Sequence, residues 1–224
     1  MVQNASEDVK KSGQVTVPDG ERLGVYLMRA CGKEMILTTD RLTLRDFIEG
    51  DHCRVSEYRS DERYLRYYHE EARTEAGART FESLVMGWAA EVPRRNFQLA
   101  IVRTSDNLLI GNCGVRTTSA VDREAEFGCE LDPHAWRQGY ATEAGRAILS
   151  YAFDFLGMHR VWSRTIAENR SAVRLAERLG MGLEGCLRES NFFRERWWDN
   201  LVYAILEQDW RNTPRRVGEE GKEK

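Results

Sequence analysis

The stretch Leu131–Ala144 constrains the fold most, because a strand pattern there passes through a turn directly into a helix pattern. Glu124–Leu131 alternates as a strand, and apolar residues then recur at helical spacing as far as Phe155. Gly139 and Ala141 carry almost no side chain, so a ligand can approach the amides of the first helical turn. Those amides lie at the positive end of the helix dipole, which predicts a phosphate or pyrophosphate site.

Length and composition bound the class of protein. A chain of 224 residues, 42% hydrophobic and 31% charged, is long enough for one α/β domain with a full core. Its net charge of −3 offers no basic surplus, which argues against nucleic acid as a partner. No segment approaches the roughly 20 apolar residues of a membrane span, so we expect no membrane partner and a cytoplasmic location.

The cysteines and histidines show no pattern of a disulfide framework or a metal site. The five cysteines are odd in number and form no CxxC pair, which is typical of reduced cytosolic thiols. The four histidines have no metal-ligand spacing with one another or with a cysteine, so no metal site is predicted.

The order of elements predicts the fold class. One strand, two helices, three strands, a helix, a strand, a helix and two strands give an α/β (α+β) fold. We expect a mixed, mostly antiparallel sheet of about seven strands with helices on both faces. Strands 124–131 and 159–166 should run parallel, because a helix connects them. Residues 35–210 would form the domain, 1–34 an N-terminal extension and 211–224 a polar tail.

The opening stretch, with the blocks around it, resembles a known family. Trp136–Ala144 resembles the acetyl-coenzyme A loop of the GNAT superfamily of N-acetyltransferases, and the resemblance covers roughly residues 35 to 210. The branch it resembles contains the ribosomal-protein N-terminal (RimJ/RimL-like) acetyltransferases. The other matching blocks are Ala125–Gly128, Ala167–Ser171, Glu177–Met181, Leu183–Glu189, Trp198–Asp199 and Tyr203.

The resemblance implies acetyl-CoA as the co-substrate and assigns residues to it. The pantetheine arm would lie between strands that separate near Leu131 and Ile166, with Asn169 hydrogen-bonding it. Arg137 and Arg174 either meet phosphates or are solvated helix-surface arginines. The pyrophosphate would bind the amides of Arg137, Gln138, Gly139, Tyr140, Ala141 and Thr142.

Acetyl transfer needs a neutral amine, and most amines are protonated at pH 7. We predict Glu126 as a base acting through water, because it precedes the point where the strands separate. A purely structural carboxylate is the equal alternative. A backbone N–H near Leu131 would stabilise the oxyanion of the tetrahedral intermediate.

The chain departs from the family where a general acid is expected. Ala176 stands where many members have a tyrosine. Ala172 and Asn191 stand where the ribosomal-protein enzymes have a serine and a carboxylate. Ser171 and Tyr203 are the substitutes we predict, although the first also suits a helix cap and the second a core position. Catalysis by positioning alone is a further alternative.

The sequence therefore predicts an N-acetyltransferase that moves acetyl to a primary amine, either a peptide N-terminus or a small molecule. The missing acid motivates one alternative, a binding module that senses acyl-CoA without turnover. Glu70 and Glu71 would attract a cationic amine or simply face solvent. The aromatic cluster of Phe192, Phe193, Trp197 and Trp198 would wall the acceptor site, form a homodimer contact or pack as a loop.

Overall fold

The computed structural model describes residues 27–28, 35–68 and 74–212. Its strands are β1 (Leu27–Met28), β2 (Met35–Thr38), β3 (Leu42–Arg45), β4 (Asn96–Arg103), β5 (Leu108–Ser119), β6 (Glu124–Leu131), β7 (Arg160–Ile166), β8 (Gly182–Phe193) and β9 (Arg196–Leu206). Its helices are α1 (Asp51–Arg59), α2 (Glu62–Leu65), α3 (Glu75–Ala90), α4 (Tyr140–Asp154), α5 (Arg170–Arg178) and α6 (Glu207–Asn212), with a 3₁₀ turn at Pro133–Ala135. No described helix is long and apolar enough to cross a membrane.

The described strands form one sheet in the order β1-β2-β3-β4-β5-β6-β7-β9-β8. Only β6 and β7 run parallel, so the predicted mixed, mostly antiparallel sheet is confirmed. The sheet has nine strands rather than about seven for two reasons. The 35–45 segment turns back after Thr38 into two strands, and Leu27–Met28, from the predicted extension, adds a short edge strand.

The parallel pair separates as predicted. β6 and β7 pair only from Glu124 opposite Arg160 to Glu126 opposite Trp162. Beyond these residues β6 still pairs with β5 as far as Leu131, and β7 with β9 as far as Ile166. A slot therefore opens between two strands whose outer neighbours keep them extended.

Two cores lie on opposite faces of the sheet. Leu99 and Ile101 of β4 belong to the core beneath α4 and α5, whereas Ala100 belongs to the core beneath α1 and α3. Gly145 lets α4 approach α5 closely, because a Cβ there would lie 2.9 Å from Leu179 Cδ1.

The aromatic cluster lies at the tip of the β8–β9 hairpin. The alternative that it packs as a loop is wrong, because its four residues lie on paired strands. Phe193 and Trp198 are buried and stack with ring centroids 4.9 Å apart. Phe192 and Trp197, directly opposite each other, are 55% and 56% exposed. One pair therefore packs inward, while the outward pair as a homodimer contact stays a prediction. Glu70 and Glu71 lie outside the described residues.

Candidate active site

The turn before α4 has the geometry of an anion site. Gly139 is the N-cap with φ +85°, and Arg137 also has a left-handed φ of +62°. The amide of Glu143 is bonded to Gly139 O at 3.0 Å, which begins the helix. The preceding amides, from Tyr140 to Thr142, therefore have no acceptor within the helix and point from its positive end.

Arg41, from the turn between β2 and β3, holds this loop from outside. Its guanidinium contacts the Glu143 carboxylate at 2.6 Å and donates to Gln138 O at 3.0 Å. It also lies over the Tyr140 ring, 4.6 Å from the centroid. Thr39 Oγ1 donates to the same Glu143 carboxylate at 2.6 Å. The loop is therefore tied to β2–β3 by side chains that leave its amides unused.

The segment between β6 and the loop is anchored as well. Asp132 is buried, accepts from the His134 amide at 2.8 Å and forms an ion pair with Arg54 of α1. Trp136 Nε1 donates to Leu131 O at 2.9 Å. The end of β6 and the start of the loop are therefore held in one geometry.

A cavity of about 170 Å³ occupies the slot between β6 and β7. Its lining comes from both sides of the sheet, because alternate residues of a strand point to opposite faces. On the α5 side the lining includes Asn169, Ala172 and Ala176. On the α1–α2 side it includes Tyr68, Arg116, Glu126 and Arg164.

Glu126 lies at the closed end of the slot, where the pairing of β6 with β7 stops. Its carboxylate is 3.3 Å from the Arg116 guanidinium, and its side chain is 29% exposed. Arg116 also donates to Gln98 Oε1 at 2.8 Å. A Cβ at residue 128 would lie 3.0 Å from this guanidinium, so Gly128 gives Arg116 room to cross β6.

Asn169 lies where the pantetheine arm was predicted. Its side chain caps α5 by accepting from the Ala172 amide at 3.2 Å, and it lines the cavity. Since Asn169 is the cap, the alternative of Ser171 as the cap is wrong. Ser171 and Arg174 are exposed on α5, and neither lines the cavity.

Tyr203 is the predicted acid substitute that reaches the slot. It is buried at 5% exposure on β9, opposite Ser163 of β7, and lines the cavity. Ala172 and Ala176 line the same side, so the family's usual acid positions are apolar here. Asn191, the other departure, lies on the β8–β9 hairpin opposite Trp198.

A second polar cluster lies further along β6 and surrounds the Glu130 carboxylate. It accepts hydrogen bonds from Tyr58 at 2.7 Å and Arg59 at 2.7 Å, and from Tyr64 and Asn112. Burial and this carboxylate raise the pKa of both Tyr58 and Tyr64 well above the usual range. Both tyrosines therefore keep their hydroxyl protons at physiological pH and donate hydrogen bonds to Glu130.

Sequence reasoning missed Arg41, Arg116 and this Glu130 cluster. A signal for the cluster exists, because Glu126, Gly128 and Glu130 alternate with the apolar residues of β6. That alternation predicts a polar face of the strand, but it does not predict which helix covers that face. Arg41 carries no local signal, since Glu143 lies 102 residues away.

Comparison with known proteins identifies the family. The model of the GNAT acetyltransferase domain matches residues 41–182. An uncharacterized N-acetyltransferase of Bacillus subtilis, YnaD, is 32% identical, covering 79% of this chain and 99% of its own. The ribosomal protein uS5-alanine N-acetyltransferase of Escherichia coli is 26% identical, covering 78% and 92%.

A solved structure supports the same fold. The spermidine N-acetyltransferase of Vibrio cholerae in complex with CoA and spermine aligns with a TM-score of 0.66 at 23% identity. The alignment covers 78% of this chain and 100% of that chain. The predicted RimJ/RimL-like branch has only the more distant support of the ribosomal-protein enzyme. The chain belongs to the GNAT acetyltransferase family.

Proposed function

We propose that this N-acetyltransferase uses acetyl-CoA as donor and acetylates a primary amine in the slot between β6 and β7. The observation that carries the proposal is the cavity between the separated strands, which is lined by both Glu126 and Asn169. Leu131 and the loop Arg137–Thr142 lie outside the cavity lining and follow it along the chain, where β6 ends and α4 begins. The pyrophosphate would bind Arg137–Thr142 and the pantetheine would lie beside Asn169.

The chemistry would follow from this placement. Glu126, through a water molecule, takes a proton from the ammonium form of the acceptor. The free amine attacks the thioester carbonyl carbon, and a backbone N–H near Leu131 stabilises the oxyanion. The attacking nitrogen releases its second proton to solvent, the intermediate collapses and the C–S bond breaks. The thiolate takes a proton from solvent, or from the Tyr203 hydroxyl, which solvent then reprotonates. Ser171, exposed and outside the cavity lining, is the weaker candidate for this role.

The acceptor class rests on the relatives and stays open between two chemistries. One relative is named as an N-acetyltransferase of alanine in ribosomal protein uS5, and one structural neighbour is named as a spermidine N-acetyltransferase. We therefore propose a peptide N-terminus or a small-molecule amine as acceptor. The scattered cysteines favour a reducing, cytoplasmic setting for the reaction.

Two measurements test the proposed function. Calorimetry should show acetyl-CoA binding to the folded protein, and Gly139→Glu should abolish it. A thiol-release assay should then show acceptor-dependent turnover with an alanine-initiated hexapeptide, spermidine, kanamycin or free alanine. Binding without turnover on any of these amines would instead support the acyl-CoA-sensing module, and absence of binding would contradict both functions.

A further inference from the structure

The Glu130 cluster connects the slot to α1 and α2, on the face of the sheet opposite α5 and Asn169, which is called the acceptor side below. Its donors come from three elements, which are α1 with Tyr58 and Arg59, α2 with Tyr64, and β5 with Asn112. The Glu130 side chain is only 11% exposed, and its ion-pair partner Arg59 is 9% exposed. One buried carboxylate therefore fixes where two helices sit against β6.

The cluster reaches the slot through a pair of stacked rings. Tyr64 donates to Glu130, and Tyr68 stacks on Tyr64 with centroids 4.4 Å apart and planes 2° from parallel. Tyr68 itself lines the cavity, opposite the Asn169 side. Tyr64 therefore links the Glu130 carboxylate to a ring that forms part of the cavity wall.

The same carboxylate is connected to Glu126 across β5. Asn112 donates to Glu130 and accepts from Gln98 Nε2 at 2.6 Å, while Gln98 Oε1 accepts from Arg116 at 2.8 Å. Arg116 completes the series at Glu126, 3.3 Å away. Gln98 and Asn112 are buried, so their hydrogen bonds constrain each other's geometry, whereas Arg116 and Glu126 at the end of the series are 27% and 29% exposed.

We propose that Glu130 is a positioning residue for the acceptor side of the slot, acting through Tyr64 on Tyr68. This inference rests on the proposed function. Glu130 is not among the residues that line the cavity, so its effect on the acceptor would pass through those that do. Its charge and hydrogen bonds set the distance between Tyr68 and the β6 backbone, and thereby the space that an acceptor amine enters.

The test separates acceptor recognition from CoA binding. Glu130→Gln keeps the side-chain shape but removes the charge that holds Arg59, so Tyr68 should shift. The KM for the best acceptor of the panel should rise on the order of tenfold, because small misplacements in a site weaken productive binding. The dissociation constant for CoA should stay within about twofold, because the side chains that bond Glu130 do not include any residue of the loop Arg137–Thr142.

Loss of a buried ion-pair partner can prevent folding, so a second variant keeps the inference testable. Tyr64→Leu leaves Glu130 and Arg59 in place but removes the stacked ring beneath Tyr68, and it should also raise the acceptor KM. The matched control is Val85→Ala, a fully buried position in the same core on α3, which supplies no hydrogen-bond donor to Glu130. It should lower stability and leave both binding parameters unchanged.

Each outcome of these measurements supports or overturns the positioning role. A raised acceptor KM in Glu130→Gln and Tyr64→Leu, with unchanged CoA binding, supports the positioning role. An unchanged acceptor KM with lowered kcat, or an equal rise of the acceptor KM in Val85→Ala, overturns it while leaving the proposed function intact. If wild-type protein binds CoA and turns over no amine, the proposed function fails first and the positioning role with it.

Discussion

The Arg41 guanidinium and the Glu143 carboxylate are joined by two contacts, at 2.6 and 2.8 Å, across the first turn of α4. The same carboxylate accepts from the Arg41 amide at 3.0 Å. A single glutamate in the helix thus holds the backbone and the side chain of a residue 102 positions earlier. Because Arg41 also donates to Gln138 O, the ion pair fixes the loop shape in which the free amides converge.

Replacing Arg41 should therefore weaken donor binding without removing any ligand of the donor. Arg41→Gln should lower the affinity for CoA about fivefold, or ~1 kcal/mol, as expected for a half-exposed ion pair. Isothermal titration calorimetry with CoA measures the change. Arg146→Gln, an exposed arginine on α4, is the matched control and should bind as wild type. Equal losses in the two variants would mean that general charge, rather than loop shape, sets the affinity.

Gly139 offers a second test of the loop, because its left-handed backbone conformation favours glycine. Its φ of +85° costs any other L-residue about 1–2 kcal/mol, and a new Cβ would lie 3.3 Å from the Arg41 guanidinium. Gly139→Ala should therefore weaken CoA binding on the order of tenfold. Gly157, with φ +63° and no atom within 4 Å of its Cβ position, provides the control. Gly157→Ala should lose similar stability in urea titrations and keep its affinity for CoA.

The site divides into parts that sequence patterns predict and parts that they do not. The places of Gly139 and Asn169 at helix starts and of Glu126 on a strand were predictable, because helix starts and strands have local signatures that depend on residues within a few positions. Their roles in the site stay predictions. Tyr64 and Glu130 are 66 residues apart, and no periodicity of either segment encodes their contact. Such pairs arise from the register of the sheet and from the helix that covers it. The sheet has nine strands rather than about seven partly for a related reason. Whether Leu27–Met28 forms a strand depends on the edge of β2, with which it pairs.

Alkaline pH should destabilise the fold through its buried tyrosines. Burial raises the pKa of Tyr151 to about 12. Between pH 10 and 12 the unfolded chain therefore loses this proton while the folded protein retains it, and the free energy of unfolding falls with rising pH. The contribution is about 1.4 kcal/mol per pH unit for one proton. Tyr151→Phe, which keeps the ring packing on Phe97, should show a shallower loss in urea titrations from pH 9 to 11. An identical slope would contradict the assignment.

The pH dependence of kcat/KM in Glu126→Gln decides whether this carboxylate acts as a base or has a structural role. A base is needed only while the acceptor is protonated, so Glu126→Gln should lower kcat/KM most near pH 7 and much less near pH 10. The expected loss at neutral pH is on the order of 10²-fold, as for other general bases. Glu124→Gln, two residues earlier on β6 and paired with Arg160 where the strands are still joined, is the control and should keep the wild-type profile. A uniform loss across this pH range in Glu126→Gln would instead assign its carboxylate to holding Arg116, 3.3 Å away, and leave the amine to lose its proton to solvent.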